Sequence, residues 1–239
     1  DTFLYHAGSS LFTLKLNFLD VRLNKIFGKK VIPIFHGSEL RMPSREQKRN
    51  PFYINNAYNE SDFLANKRLS KWSEITDTIV TCDLAFLNYK LDKYFEYIHH
   101  LPLAIDLDLL KPKKVDNHKM VIMHAPSHID AKGTKWVRET ISQLNDLDYE
   151  FEYIEVTDKS HQDLIELINK ADIVIDQMML GNYGVFALEA MALEKPVICY
   201  IQPEVMEYLP SELPIINASP ETLLSSLEQL LRQTDDERM

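Results

Sequence analysis

The stretch Asp176–Pro196, D-Q-M-M-L-G-N-Y-G-V-F-A-L-E-A-M-A-L-E-K-P, decides how the rest of the chain is read. Before it lies Ala171-Asp-Ile-Val-Ile175, an apolar, β-branched run of the length of a buried strand. Gly181-Asn-Tyr-Gly184 breaks that pattern with residues that tolerate unusual backbone angles. Val185–Leu193 resumes as a strong helix former stopped near Pro196, and Val197-Ile-Cys-Tyr200 reads as the next strand. Strand, glycine loop, helix and strand follow one another. The loop would expose backbone N–H groups at a helix start, where unpaired donors and the macrodipole favour an anion.

Glu189 does not fit that helix as a packing residue, because Val185, Phe186, Ala187, Leu188, Ala190, Met191 and Ala192 make it apolar almost all round. A carboxylate there is costly without partners. Glu189 therefore either points into a polar cleft near the glycine loop or lies on the solvated face of a partly exposed helix.

Outward from this centre the chain repeats the same unit. Phe3–Ser10 reads as a strand running into a small-residue loop, Leu11–Phe27 has helical spacing stopped at Gly28, and Lys30–Phe35 is a strand. This strand–helix–strand unit implies a parallel pair, with the loops Tyr5–Ser10 and His36–Arg41 at one carboxyl edge. Met42–Asn66 has few periodic apolar residues, four basic residues between Arg41 and Arg49, and an Asn-rich run at 55–59, so it reads as a long excursion. Ser70–Ile75 reads as a short helix, Thr76–Thr81 as a strand, Leu101–Asp106 as a short terminal strand and Lys111–His118 as a linker.

The second half opens with the strand Met120–Met123. The loop His124–Thr134 and the helix Lys135–Leu144 follow, with Lys132-Gly133 at the helix entrance. Lys132 there either holds a phosphate by charge beside backbone donors or is a solvated lysine in a turn. Tyr149–Val156 alternates as a strand, Asp163–Asn169 is helical, Leu213–Ile216 is a strand, and a last helix is expected from the cap Ser219 and Pro220 through Leu231. Four or more βα repeats give a doubly wound parallel sheet, and without G-x-G-x-x-G it is not a dinucleotide-binding one.

Composition bounds the function. With 239 residues, 45% of them hydrophobic, the chain can bury a substantial core as one large or two small domains. No run approaches the ~20 apolar residues of a membrane span, and no signal-peptide pattern opens the sequence. Cys82 and Cys199 lie in apolar, strand-like contexts without metal-ligand spacing, and the eight histidines form no metal-binding cluster, so a cytoplasmic protein without a bound metal is expected. The net charge of −10 divides unevenly: residues 1–115 hold 17 Lys+Arg against 13 Asp+Glu, and residues 116–239 hold 9 against 23. Two domains with different partners are expected, 1–115 and 116–239. The basic first block would suit an anionic membrane surface or a phosphate-bearing acceptor, or is simply an excess of surface lysines. Basic residues are not interleaved with aromatics, so nucleic acid is not an expected partner.

At G-N-Y-G-V-F-A-L-E-A-M-A-L-E-K-P-V-I the chain resembles the donor-binding signature of GT-B glycosyltransferases, especially family 4, in which two Glu residues flank a glycine loop ahead of E-A-M-A and a Pro. Glu189 matches the second Glu, which in that family holds the donor ribose, while Gly181 stands where the first Glu would be. His36–Arg41, H-G-S-E-L-R, is similar to a segment whose histidine faces the donor sugar across the interdomain cleft; read by itself, His36 is as well a capping or core histidine. Lys132-Gly133 matches the family's Lys-Gly on the donor diphosphate, and Ser127 stands in place of its usual Arg, so that either His128 substitutes or the phosphate site is weaker than usual. The resemblance implies two Rossmann-like domains facing a cleft, the first incomplete in this chain. It implies a retaining, metal-independent transfer from a nucleoside-diphosphate sugar to a glycan, lipid-linked or small-molecule acceptor. Lys132, Ser127 or His128 and Gly181–Gly184 would hold the diphosphate, with Asn182 and Tyr183 in that loop, and His36 would position the sugar. No further cofactor is implied, and peripheral contact with the inner face of a membrane through the first domain is a further expectation. The alternatives are a GT-B-shaped binding subunit that transfers nothing, or a sugar-nucleotide epimerase or hydrolase on the same fold.

Overall fold

The computed structural model describes residues 1–12, 16–54 and 61–233. The Asn-rich run at 55–59, part of the helix expected over 11–27 and the polar tail lie outside the described residues. Contacts divide the chain into two units, Asp1–Pro51 with Asn55–Leu103, and Phe52–Ile54 with Ala104–Met239. The division falls between Leu103 and Ala104, ahead of the 115/116 position suggested by charge. Leu110 is buried in the second unit's core with Ile105 packed against it, and these apolar anchors outweigh the polar character of the surrounding stretch.

The first unit is a four-stranded parallel sheet in the order β1 (Thr2–His6), β2 (Lys30–Phe35), β3 (Thr78–Thr81), β4 (Tyr97–His100). Helix α1 is confined to Leu19–Ile26, because Asn17 and Phe18 both take left-handed backbone angles that no helix continues. The excursion after β2 holds one helix that apolar spacing did not reveal and the start of a second, whose end overlaps the short helix expected at Ser70–Ile75. α2 (Pro43–Arg49) begins on a proline, and α3 (Asp62–Ser73) begins on Ser61, whose hydroxyl accepts from the Leu64 N–H at 3.3 Å. The terminal strand is Tyr97–His100 and not Leu101–Asp106. The Leu101 N–H makes one last ladder bond to the Thr81 carbonyl (2.9 Å), and Pro102 has no N–H to extend it. Trp72, Phe18, Phe35, Phe86 and Tyr89 fill the core. The Trp72 indole N–H donates to the Gly8 carbonyl at 3.1 Å.

The second unit is a five-stranded parallel sheet whose strands are β5 (Met120–His124), β6 (Phe151–Glu155), β7 (Ile173–Ile175), β8 (Val197–Cys199) and β9 (Ile215–Asn217). Their order is β6-β5-β7-β8-β9. The connections run through α4 (Ile129–Lys132), α5 (Thr134–Asp146), α6 (His161–Lys170), α7 (Val185–Ala192) and α8 (Pro203–Met206), and α9 (Leu223–Arg232) closes the described chain. α9 starts at Leu223, after a turn in which the Thr222 N–H bonds the Ser219 carbonyl, so Ser219 and Pro220 precede the helix instead of capping it. Counted within the unit the strand order is 2-1-3-4-5, which reverses between β5 and β7. Parallel sheets bind ligands outside the carboxyl ends of the strands at such a reversal. Cys82 and Cys199 are both buried and unbridged.

Candidate functional site at the β5–β7 switch point

Two loops meet at that reversal, one leaving β5 and one leaving β7. The first carries Lys132 into a tight corner at Gly133, whose φ of +74° suits glycine; a Cβ there would lie 2.9 Å from the Met179 Cγ. The second begins with Asp176 and Gln177, directly beyond the last residue of β7. The Met178 N–H bonds the Lys132 carbonyl at 2.9 Å and ties the two loops together.

Asp176 organises the site. Its side chain is 1% exposed and that of Lys132 14%. One carboxylate oxygen takes the Lys132 ammonium at 3.0 Å, and the other takes the Gly184 N–H at 3.0 Å, at the start of α7. The Gln177 side-chain oxygen accepts a second bond from Lys132 at 2.8 Å, while its side-chain nitrogen donates to the Asn182 carbonyl. Among the described residues two of the three ammonium protons are therefore engaged, leaving one. The cation and the helix-start amide expected to hold a diphosphate are both bonded to a side chain of the protein.

The glycine loop is pinned from the far side by Gln202, whose N–H bonds the Gly181 carbonyl at 2.9 Å. Gly181 has φ +75°, and a Cβ there would fall 2.2 Å from the Gln202 amide nitrogen. No side chain, least of all a Glu, fits at 181 unless Gln202 moves. The Asn182 side-chain oxygen accepts from the Tyr183 N–H at 2.9 Å, and Tyr183 is half-buried.

Glu189 is 7% exposed on α7, and its carboxylate accepts from the His161 imidazole at 2.7 Å. His161 opens α6 behind the cap Ser160, with its ring 62% exposed. The solvated-face reading of Glu189 is thus corrected, and its partner comes from another element. Ser127 is exposed and His128 half-buried ahead of α4, where the His128 side chain makes no capping bond.

His124, at the carboxyl end of β5, is fully buried. Its Nδ1 lies 2.9 Å from the Ile175 carbonyl oxygen, which can only accept, so Nδ1 carries the proton and Nε2 takes the Thr134 hydroxyl at 3.0 Å. Burial pushes its pKa below the ordinary value. At the end of β6, Arg138 holds Glu155 with two bonds, 2.9 and 2.6 Å, and lowers that carboxyl's pKa. His124, Asp176, Gln177, His161 and Gln202 were all missed from the sequence. A charged residue directly after an apolar strand, as at Asp176, is the one signal that could have been used.

In the first unit, His36 is exposed at the end of β2 and neither caps a helix nor enters the core. Its Nε2 lies 3.0 Å from the Nδ1 of His6, and the rings stack with centroids 5.2 Å apart. Glu39 accepts from the His36 and Gly37 N–H groups at 2.5 and 3.1 Å, which fixes the turn. Arg41, the last residue of the H-G-S-E-L-R segment, is spent on a buried pair with Asp83 at 2.8 Å. Among the described residues no group of three or more His, Cys, Asp or Glu side chains is arranged to hold a metal, and no helix is long and apolar enough to cross a membrane.

No family model and no curated protein matches the chain in sequence. Solved structures do match it in shape. Sucrose-phosphate synthase from Thermosynechococcus elongatus superposes with a TM-score of 0.63 at 12% identity, covering 96% of this chain and 63% of its own. HepE of Anabaena, solved with UDP and glucose, gives 0.68 at 13% identity, covering 96% and 68%. The pneumococcal O-GlcNAc transferase GtfA, solved with UDP and GlcNAc, gives 0.55 at 13%, covering 95% and 48%. The chain thus spans between about half and two thirds of the length of these proteins. Identities this low speak for the fold: the chain is built on the two parallel-sheet units of the GT-B glycosyltransferases.

Proposed function

We propose that the chain is the glycosyltransferase the sequence resemblance implies, moving a sugar from a nucleoside-diphosphate donor to a glycan or lipid-linked acceptor. One observation carries the reading: Asp176 and Gln177 fix the Lys132 ammonium at the reversal of the second unit's sheet, with one proton beyond those two bonds. A diphosphate leaving group gains charge as the glycosidic bond breaks, and fixed donors aimed at that charge lower the barrier. Lys132 has one proton beyond those given to Asp176 and Gln177, and the diphosphate would take it. Asp176 and Gln177 then act as positioning residues that hold the ammonium in place. Glu189 would bind the ribose, with His161 orienting its carboxylate. His36 would position the donor sugar or the acceptor. The transfer is proposed to be metal-independent and retaining, and the protein cytoplasmic, with peripheral membrane contact through the first unit. HepE and GtfA, both solved with UDP, make uridine the first base to test.

Thermal denaturation with UDP, GDP and ADP tests this. One nucleotide should raise the melting temperature, and Glu189→Ala and Lys132→Ala should each abolish the rise. Indifference to all three nucleotides would overturn the donor site. A second reading, a GT-B-shaped binding subunit, draws support from Gln202, which fills the space that a donor-sugar Glu at 181 would need. Turnover of radiolabelled UDP-sugar separates the two, and turnover without acceptor would mark a hydrolase.

A further inference from the structure

We propose a second anion site, in the first unit, that binds phosphate groups of a soluble diphosphate or of an anionic lipid headgroup. It is a cavity of about 340 Å³ lined by Arg45, Lys48, Arg49, Lys90 and Lys93. All five are cations, and among the described residues no carboxylate lines the space.

These cations are not a loose surface cluster. The Arg45 and Arg49 guanidinium groups lie over the ring of Tyr89, 5.1 and 5.7 Å from its centroid. Each also donates to a backbone carbonyl, Arg45 to that of Tyr89 and Arg49 to that of Ala85. Tyr89 is itself buried, and its hydroxyl donates to the buried carboxylate of Glu46. The nearest acid on α2 is thereby turned inward to hold the aromatic platform. Lys48, Lys90 and Lys93 stand exposed around the two arginines, and among the described residues none of the three makes an ion pair. Three exposed lysines beside the anchored arginines leave the cavity positive, and that charge draws in a multivalent anion. Planar guanidinium groups fixed on a ring suit phosphate oxygens, and the flexible lysines supply further charge.

Isothermal titration with inorganic pyrophosphate at low salt tests the site, using wild type, Lys48→Glu with Lys93→Glu, and Lys132→Ala. Both substituted lysines are exposed, and the milder Lys48→Ala with Lys93→Ala double variant serves if the charge reversal disturbs folding. Flotation with phosphatidylglycerol and with phosphatidylcholine vesicles forms the second arm. We expect pyrophosphate or phosphatidylglycerol binding to weaken by about tenfold or more in the lysine variants and to persist in Lys132→Ala. The arm that responds identifies the source of the phosphate. Binding that is unchanged in the lysine variants, or lost only in Lys132→Ala, overturns the site. Because Lys132 and Lys48 lie in different units, failure here leaves the donor site standing, and the reverse holds too.

Discussion

The two cationic sites are built on opposite plans. At the β5–β7 reversal a single lysine is matched to a carboxylate and an amide within the protein, and every strong charge has a partner before any ligand arrives. In the basic cavity of the first unit five cations share one space that, among the described residues, no carboxylate lines, and the arginines are tethered. The first plan makes the site part of what holds its unit together. The second leaves charge in excess of what folding requires. Mutations should therefore cost stability at the first and binding alone at the second.

The largest effect is expected from Asp176→Ala. It leaves the mostly buried Lys132 ammonium short of its countercharge and the Gly184 N–H without its acceptor, at a cost of roughly 3 kcal/mol or more in denaturant unfolding. A loss below about 1 kcal/mol would show that the two loops are held by other means. Next comes Gly181→Ala, which adds overlap with Gln202 to an unfavourable positive φ, for roughly 2 kcal/mol. Adding Gln202→Ala should recover the overlap part only, and a double variant no better than the single one would remove Gln202 as the cause.

A smaller effect concerns His124, whose pKa is depressed by burial. The unfolded chain takes up a proton near the ordinary value of 6.5, and the folded chain resists it to lower pH. Stability is thus fully present above pH 6.5 and declines as the pH falls below it; His124→Asn should flatten that slope between about pH 7 and about pH 5. The smallest effect is expected for the Lys48→Glu, Lys93→Glu pair, within about 0.5 kcal/mol of wild type, because both side chains are exposed. A larger loss would mean that the basic cavity is structural after all.

What the sequence disclosed and what it hid differ for a physical reason. β5, β7, β8 and α7 are legible because buried parallel strands and the helices over them are nearly continuous apolar runs. α2 has no such run. P-S-R-E-Q-K-R becomes a helix because Glu46 finds Tyr89, far along the chain, and no local pattern announces that bond. The same holds within the site. Glu189 stands out as a carboxylate in an apolar helix, and Lys132-Gly133 as a cation at a turn. Their partners His161 and Asp176 are brought in by topology, from α6 and from the end of β7. Sequence reading finds the odd residue more easily than the residue that makes it tolerable.

One architectural fact has a kinetic side. Each ladder in both sheets is parallel, so every strand must wait for a helix or a long loop to close before it finds its neighbour, and β5 meets β7 only after β6 and α6 have been threaded between them. Among the described residues there is no hairpin to serve as a quick seed. Recovery from denaturant should accordingly be slow and concentration-sensitive, and dilute, cold refolding should outperform fast, crowded refolding.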